Sequence, residues 1–165
     1  MYKIRNTTNS DKEQLRTLFN ECFGNMAENN GVLSWINGRY KVAEIDNRIV
    51  AVSGILPISN SDYNGYEITW TCTTKEYRKQ GLQVAILKQC LKELPEDGIS
   101  LYCDCWRVKD NDKINLHSVM KHLGMNEVLR NRINRKYPHS KDCNGCPYES
   151  ENCFCCGDLY MKARK

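Results

Sequence analysis

No stretch of this chain approaches the roughly 20 consecutive apolar residues that a membrane-spanning helix needs. The longest candidate, residues 49–58, is interrupted by Ser53, Gly54 and Pro57. The start, Met1-Tyr2-Lys3-Ile4-Arg5, has no apolar run behind its basic residues. No signal peptide is read there, and a cytoplasmic location without a membrane partner is the expectation. A strong charge of either sign is missing as well. Twenty-four basic residues stand against 20 acidic ones, a net charge of +4, too mild an excess to argue for a nucleic-acid partner. Repeats and low-complexity segments are absent. Apolar and charged fractions near globular averages exclude global disorder. At 165 residues the chain makes one domain able to bury about 70% of its unfolded surface.

Cysteine, by contrast, is abundant and uneven. Five of the ten cysteines, Cys22, Cys72, Cys90, Cys103 and Cys105, are scattered and read as small apolar core residues. The other five crowd near the end, with Cys143-x-x-Cys146 and Cys153-x-x-Cys156 six residues apart and Cys155 left over. Two such pairs can each grip one side of a tetrahedral zinc. In a reducing compartment the same pattern also fits an iron–sulfur cluster, redox-active thiols or disulfides. The cluster is expected at about residues 137–157, as an insertion between the last two strands.

Periodicity gives the order of elements. Residues 2–5 read as a strand, and Ser10 or Asp11 caps a helix with stripe Leu15, Leu18, Phe19 and Cys22, closed by Gly24. A short helix is expected around residues 32–36. Residues 42–45 and 49–56 form a hairpin about Asp46-Asn47, its nearly all-apolar second arm suiting a central strand. In the strand 67–73, Ile68, Trp70 and Cys72 are expected on one face and Glu67, Thr69, Thr71 and Thr73 on the other. A helix over 81–93, a strand over 99–106, a helix from 110–112 to Gly124 and strands over 128–136 and 158–162 complete a mixed α/β sheet flanked by helices.

The turn Tyr77-Arg78-Lys79-Gln80-Gly81-Leu82-Gln83 lies between a strand and a helix. Unpaired amides and the positive end of the helix dipole meet there, with Arg78 and Lys79 adding full charges. The ligand that suits this arrangement is a diphosphate, and so a nucleotide-like cofactor.

Arg78 and Gly81, followed at a distance by Leu123-Gly124-Met125 after an amphipathic helix, resemble the two signatures of the GNAT superfamily of N-acetyltransferases. The resemblance covers residues 2 to about 136 and the last strand. It implies a mixed, mostly antiparallel sheet and acetyl-CoA as cosubstrate. The coenzyme A diphosphate would rest on Arg78, Lys79, Gln80, Gly81, Leu82 and Gln83. Gln83 stands where the family has a small residue, so its side chain must turn away. Thr71 and Thr73 would flank the pantetheine arm. At the usual offset of the helix-start asparagine that contacts the cofactor stands Lys113, with Asn111 and Asn115 on either side to do that job or, instead, to cap the helix.

Acyl transfer to an amine needs a proton acceptor, a donor for the oxyanion and a proton for the leaving thiolate. Glu67 matches the strand glutamate that some relatives use as base; its bland alternative is a solvated carboxylate. The family's usual tyrosine acid is replaced by Met120, a core residue. Tyr102, Tyr77 and His117 are substitutes, with His117 expected to be simply exposed. Asp104 and Tyr102 share a strand face, and two acids in the cleft favour a cationic amine. The acceptor is then a primary amine of a small molecule or protein, attacked directly. The rival reading is a catalytically degenerate acyl-CoA-binding module whose cysteine knuckle recognises a partner.

Overall fold

A computed structural model describes residues 1–59, 64–95, 100–108, 116–134 and 155–163. Its strands are β1 (Lys3–Asn6), β2 (Tyr40–Ile45), β3 (Arg48–Ser59), β4 (Asn64–Thr73), β5 (Ser100–Val108), β6 (Asn126–Asn134) and β7 (Cys155–Ala163). Its helices are α1 (Lys12–Phe23), α2 (Met26–Asn29), α3 (Val32–Trp35), α4 (Leu82–Leu91) and α5 (His117–His122). The strands form one sheet in the order β1-β2-β3-β4-β5-β7-β6. Every neighbouring pair is antiparallel except β4 and β5, which run parallel. The mixed, mostly antiparallel sheet flanked by helices is as expected.

Local chemistry accounts for the elements. The entry to α1 is tied by a carboxylate: the Thr8 amide donates to Asp11 Oδ2 at 2.7 Å, and Arg5 grips both Asp11 oxygens at 2.7 and 2.9 Å. The stripe Leu15, Leu18 and Phe19 is buried at 2% exposure or less, as the helical spacing predicts. The β2–β3 turn uses left-handed Asp46 and Asn47 (φ 48° and 62°), residue types that tolerate that region. Residues 49–53 of β3 are buried whichever way their side chains point, Ser53 included, as befits a strand covered on both faces.

Two apolar clusters lie on opposite faces of the sheet. One joins α1–α3 to Tyr40, Val42, Val52 and Cys72; the other joins α4 and α5 to Ala51, Ile55, Ile68, Leu101, Cys103 and Tyr160. Ile68 and Cys72 therefore face opposite ways, although strict alternation from 67 to 73 puts them together. The cause is a β-bulge. Val52 pairs with Cys72 but Gly54 pairs with Thr69, so Trp70 and Thr71 together oppose Ser53 alone. Trp70 takes φ 47°, outside the region bulky residues prefer. It is held there by edge-on packing against Phe23 and Phe19, with ring centres 5.6 and 6.1 Å away.

Candidate active site

Among the described residues, β4 and β5 are joined only over Gly65–Glu67 and Ser100–Tyr102. Gly65 makes this junction possible: at φ 155°, a Cβ there would lie 2.2 Å from the Ser100 carbonyl oxygen. Beyond Glu67 and Tyr102 the register between the two strands stops, while each stays paired on its other edge, β4 with β3 and β5 with β7. Two parallel strands that separate in mid-sheet leave facing edges of backbone donors and acceptors in the interior of the fold. This opening, with the bulge along one side, is the centre of the site.

Glu67 and Tyr102 sit opposite each other at its apex, and both are half-buried. Glu67 lies on the α1-side face, where it influences the Tyr40 phenol. Burial drives that phenol's pKa well up, a Thr69 hydrogen bond opposes the shift, and the Glu67 charge adds to it. Tyr102 and Asp104 share the β5 face opposite Leu101 and Cys103, which point into the α4-side cluster. Glu67, Thr69, Tyr40, Tyr102 and Asp104 thus gather on one face. Tyr40 had no signal in the sequence; its place depends on Gly54, where a Cβ would come within 2.5 Å of the phenol ring.

Thr71 and Thr73 lie on the other face. The Thr71 hydroxyl meets Ser53 at 2.5 Å, and Thr73 accepts from Gln83 of α4 at 2.9 Å. The expectation that Glu67 shares a face with Thr71 and Thr73 is therefore corrected, and the extra residue of the bulge is the reason. The same correction puts Cys72 with Trp70 on the α1 side, opposite Ile68.

Past β4 the chain makes a single 3-10 turn over Lys75–Tyr77 and then the basic turn. Arg78 is extended, Lys79 and Gly81 are left-handed at φ 63° and 77°, and Gly81 precedes the first residue of α4. Arg78, Lys79, Gln80 and Gly81 are exposed, and nothing lies within 4 Å of where a Gly81 Cβ would point. Left-handed residues among extended and helical ones turn successive amides to one side, the geometry of an anion nest. Arg78 is anchored back to the strand, its Nε donating to the Thr73 carbonyl at 3.0 Å. Leu82 is buried, so only its backbone can serve the turn. Gln83 turns away from the turn, as expected, and inward. Its Nε2 donates to the Cys72 and Val52 carbonyls at 2.5 and 3.2 Å, clamping the start of α4 to β3 and β4. Its Oε1 finds no donor among the described residues.

Of the substitute acids, Tyr77 packs against the α4-side core. His117 is half-buried and engaged rather than freely exposed: its Nδ1 is 2.6 Å from the Tyr160 hydroxyl, which also donates to Glu127 at 3.4 Å. Met120 is fully buried, as read. Asn115 and Asn111 lie outside the described residues, as do Cys143, Cys146 and Cys153; of Cys156 only the backbone, in β7, is described. Among the described residues no group of three or more His, Cys, Asp or Glu is arranged to hold a metal ion, and no helix is long and apolar enough to cross a membrane.

A mixed sheet that opens between two parallel strands, with an exposed left-handed turn at the mouth of the next helix, is the frame of an acyltransferase. Residues 3–104 match the family model described as an acetyltransferase (GNAT) domain, and the chain belongs to that family. Solved structures agree in fold. An N-acetyltransferase from Staphylococcus aureus Mu50 superposes with a TM-score of 0.69 at 11% identity, covering 100% of this chain and 99% of that one. The polyamine N-acetyltransferase of Drosophila melanogaster, which forms N-acetylagmatine, gives 0.66 at 11% identity over 99% and 100% of the two chains. The ribosomal-protein-S18-alanine N-acetyltransferase of Escherichia coli gives 0.61 at 16% identity over 100% and 95%. A further match, to an acetyltransferase from Pyrococcus horikoshii, spans only 44% of that longer chain. No curated protein matches the sequence.

Proposed function

We propose that the protein transfers an acetyl group from acetyl-CoA to a primary amine, by direct attack of the amine on the thioester. The observation that carries this reading is the opening of the sheet at Glu67 and Tyr102, continuous along β4 with the exposed turn from Arg78 to Gln83. The diphosphate rests on the amides of that turn with Arg78 and Lys79 neutralising its charge. The pantetheine amides pair with the free edge of β4 past Thr71 and Thr73, as an added strand would. The bulge at Trp70 and Thr71 supplies the backbone donor for the thioester oxygen. Glu67, directly or through a water, accepts the amine proton, and Tyr102 returns one to the thiolate. Glu67 and Asp104 on the acceptor face favour a cationic amine. The polyamine enzyme and the ribosomal-protein-alanine enzyme among the structural neighbours represent the two acceptor classes, small molecule and protein. The cysteines Cys143, Cys146, Cys153 and Cys156 enter this reading as the four thiolates of a zinc knuckle. One equivalent of zinc in protein purified without chelator is the expected result, and less than about half an equivalent would count against it.

The test is release of coenzyme A thiol across a broad panel of amines, with a protein-only blank for the ten cysteines. Glu67→Gln is expected to lower the rate about 100-fold while thermal stabilisation by coenzyme A persists. Stabilisation by coenzyme A without release on any amine would instead favour a binding module.

A further inference from the structure

Where the end of α1 meets the end of β4, two thiols and a guanidinium come together. Cys22 Sγ lies 3.9 Å from Arg78 Nη2 and 3.7 Å from the Thr73 carbonyl oxygen. Cys22 also packs against the α1-side cluster that contains Cys72, the residue just before Thr73. Cys22 is half-buried and reachable from solvent, whereas Cys72 is buried at 7% exposure. The amine-acetylation reading uses neither sulfur. We propose that Cys22 and Cys72 are a hydroperoxide-sensitive pair, Cys22 reacting first and Cys72 closing a disulfide between α1 and β4.

The electrostatics divide the two roles. Cys22 is lowered to about 7, chiefly by the hydrogen bond with Cys72 and then by the hydrogen bond and charge of Arg78; burial and Glu21, on its own helix, oppose this. Cys72 is pushed well above the usual thiol value, first by burial and then by Cys22 itself. A solvent-reachable thiolate beside a cation, with a protonated partner behind it, is the arrangement of an attacking and a resolving cysteine. In the first step the Cys22 thiolate attacks one oxygen of hydrogen peroxide; the O–O bond breaks, leaving a sulfenic acid and hydroxide. In the second the Cys72 sulfur attacks Cys22 Sγ; the S–O bond breaks, and the hydroxyl leaves with the Cys72 proton as water. Two thiols lose two electrons and the peroxide gains them.

The test needs no acyl donor, so its outcome is separate from that of the proposed reaction. Fully reduced protein is treated with one equivalent of hydrogen peroxide at pH 7.5, remaining thiols are blocked, and digested peptides are mapped by mass spectrometry. A Cys22–Cys72 cross-link is expected as the first disulfide to form. In Cys72→Ala the cross-link is lost and Cys22 is captured by dimedone as sulfenic acid, and in Arg78→Gln oxidation of Cys22 slows severalfold. The proposal fails if Cys22 is oxidised no faster than buried Cys90, or if early disulfides leave both Cys22 and Cys72 reduced. The wild-type map decides the matter even if Cys72→Ala does not fold.

Discussion

The two ends of β4 behave as different structures although they belong to one ten-residue strand. The first, Gly65–Glu67, is paired on both edges, with β3 and β5, and presents Glu67 to the α1 side. The second, Thr71–Thr73, is paired among the described residues only with β3 and presents its threonines toward α4. Trp70 separates them. Were all ten residues to alternate regularly, with no bulge, Glu67 and the threonines would lie on a single face. With it, a carboxylate suited to an acceptor lies on one side of the sheet and the turn that suits a cofactor lies on the other. One bulge thus divides between two faces the side chains that a regular strand would put on one.

Deleting Trp70 tests that division most severely. Thr69 then precedes Thr71 in plain alternation, so every remaining side chain keeps its present face and β3 keeps its register. The bulge alone is removed, along with the packing on Phe19 and Phe23. The expected outcome is a folded, less stable protein that still binds coenzyme A but transfers acetyl about 1000-fold more slowly, the scale of losing an oxyanion donor. Unchanged turnover would end the role assigned to the bulge. Next in size is Gly65→Ala at the paired end. The added Cβ meets the Ser100 backbone at 2.2 Å, in a conformation that alanine avoids. A loss of about 3 kcal/mol is expected, read as a lower urea midpoint with an unchanged slope.

These residues also show what could be seen in advance. Element order, the central position of β3 and the turn at Arg78 and Gly81 were legible because each rests on a local pattern: apolar period, turn chemistry, a basic loop before a helix. The faces of β4 were not, because a bulge has no fixed residue signature and Trp70 reads as one more member of an alternating run. The inward role of Gln83 was only half legible. That its side chain had to leave the turn followed from its position; that it would tie carbonyls of β3 and β4 depended on tertiary packing. Cys22 fitted the apolar stripe of α1 by spacing, yet it sits at the rim of that stripe beside Arg78, 56 residues away in sequence. Tyr40 was missed because the space it fills is created by Gly54 on the neighbouring strand.

Smaller effects are expected at the far end of β4. Arg78→Ala should weaken coenzyme A binding about tenfold, near 1.4 kcal/mol, the loss of one exposed charge-assisted contact. The rate at saturating cosubstrate should change little, since Arg78 lies at the turn and not at the opening by Glu67. An equal fall in saturated rate would mean that the two ends of β4 are not separate after all.

The finest comparison is between the thiol and the anion that share Arg78. In the free protein the guanidinium lies 3.9 Å from Cys22 Sγ and supports its thiolate. A diphosphate on the turn competes for the same cation, so binding should raise the Cys22 pKa from about 7 and slow its alkylation near neutral pH. The sign follows from the charge: a thiolate that loses a cation holds its proton to higher pH. S-methyl coenzyme A, which carries no thiol of its own, is the suitable ligand, and the expected change in the iodoacetamide rate at pH 7 is about threefold, within the range of exposed ion pairs. In Arg78→Gln the ligand should no longer alter that rate. Linkage requires the converse, that the ligand binds more tightly when Cys22 is protonated and Arg78 is released to it. Identical alkylation rates with and without ligand, at concentrations that visibly stabilise the protein, would mean that Arg78 stays with the thiol and that Lys79 and the amides of the turn hold the diphosphate alone.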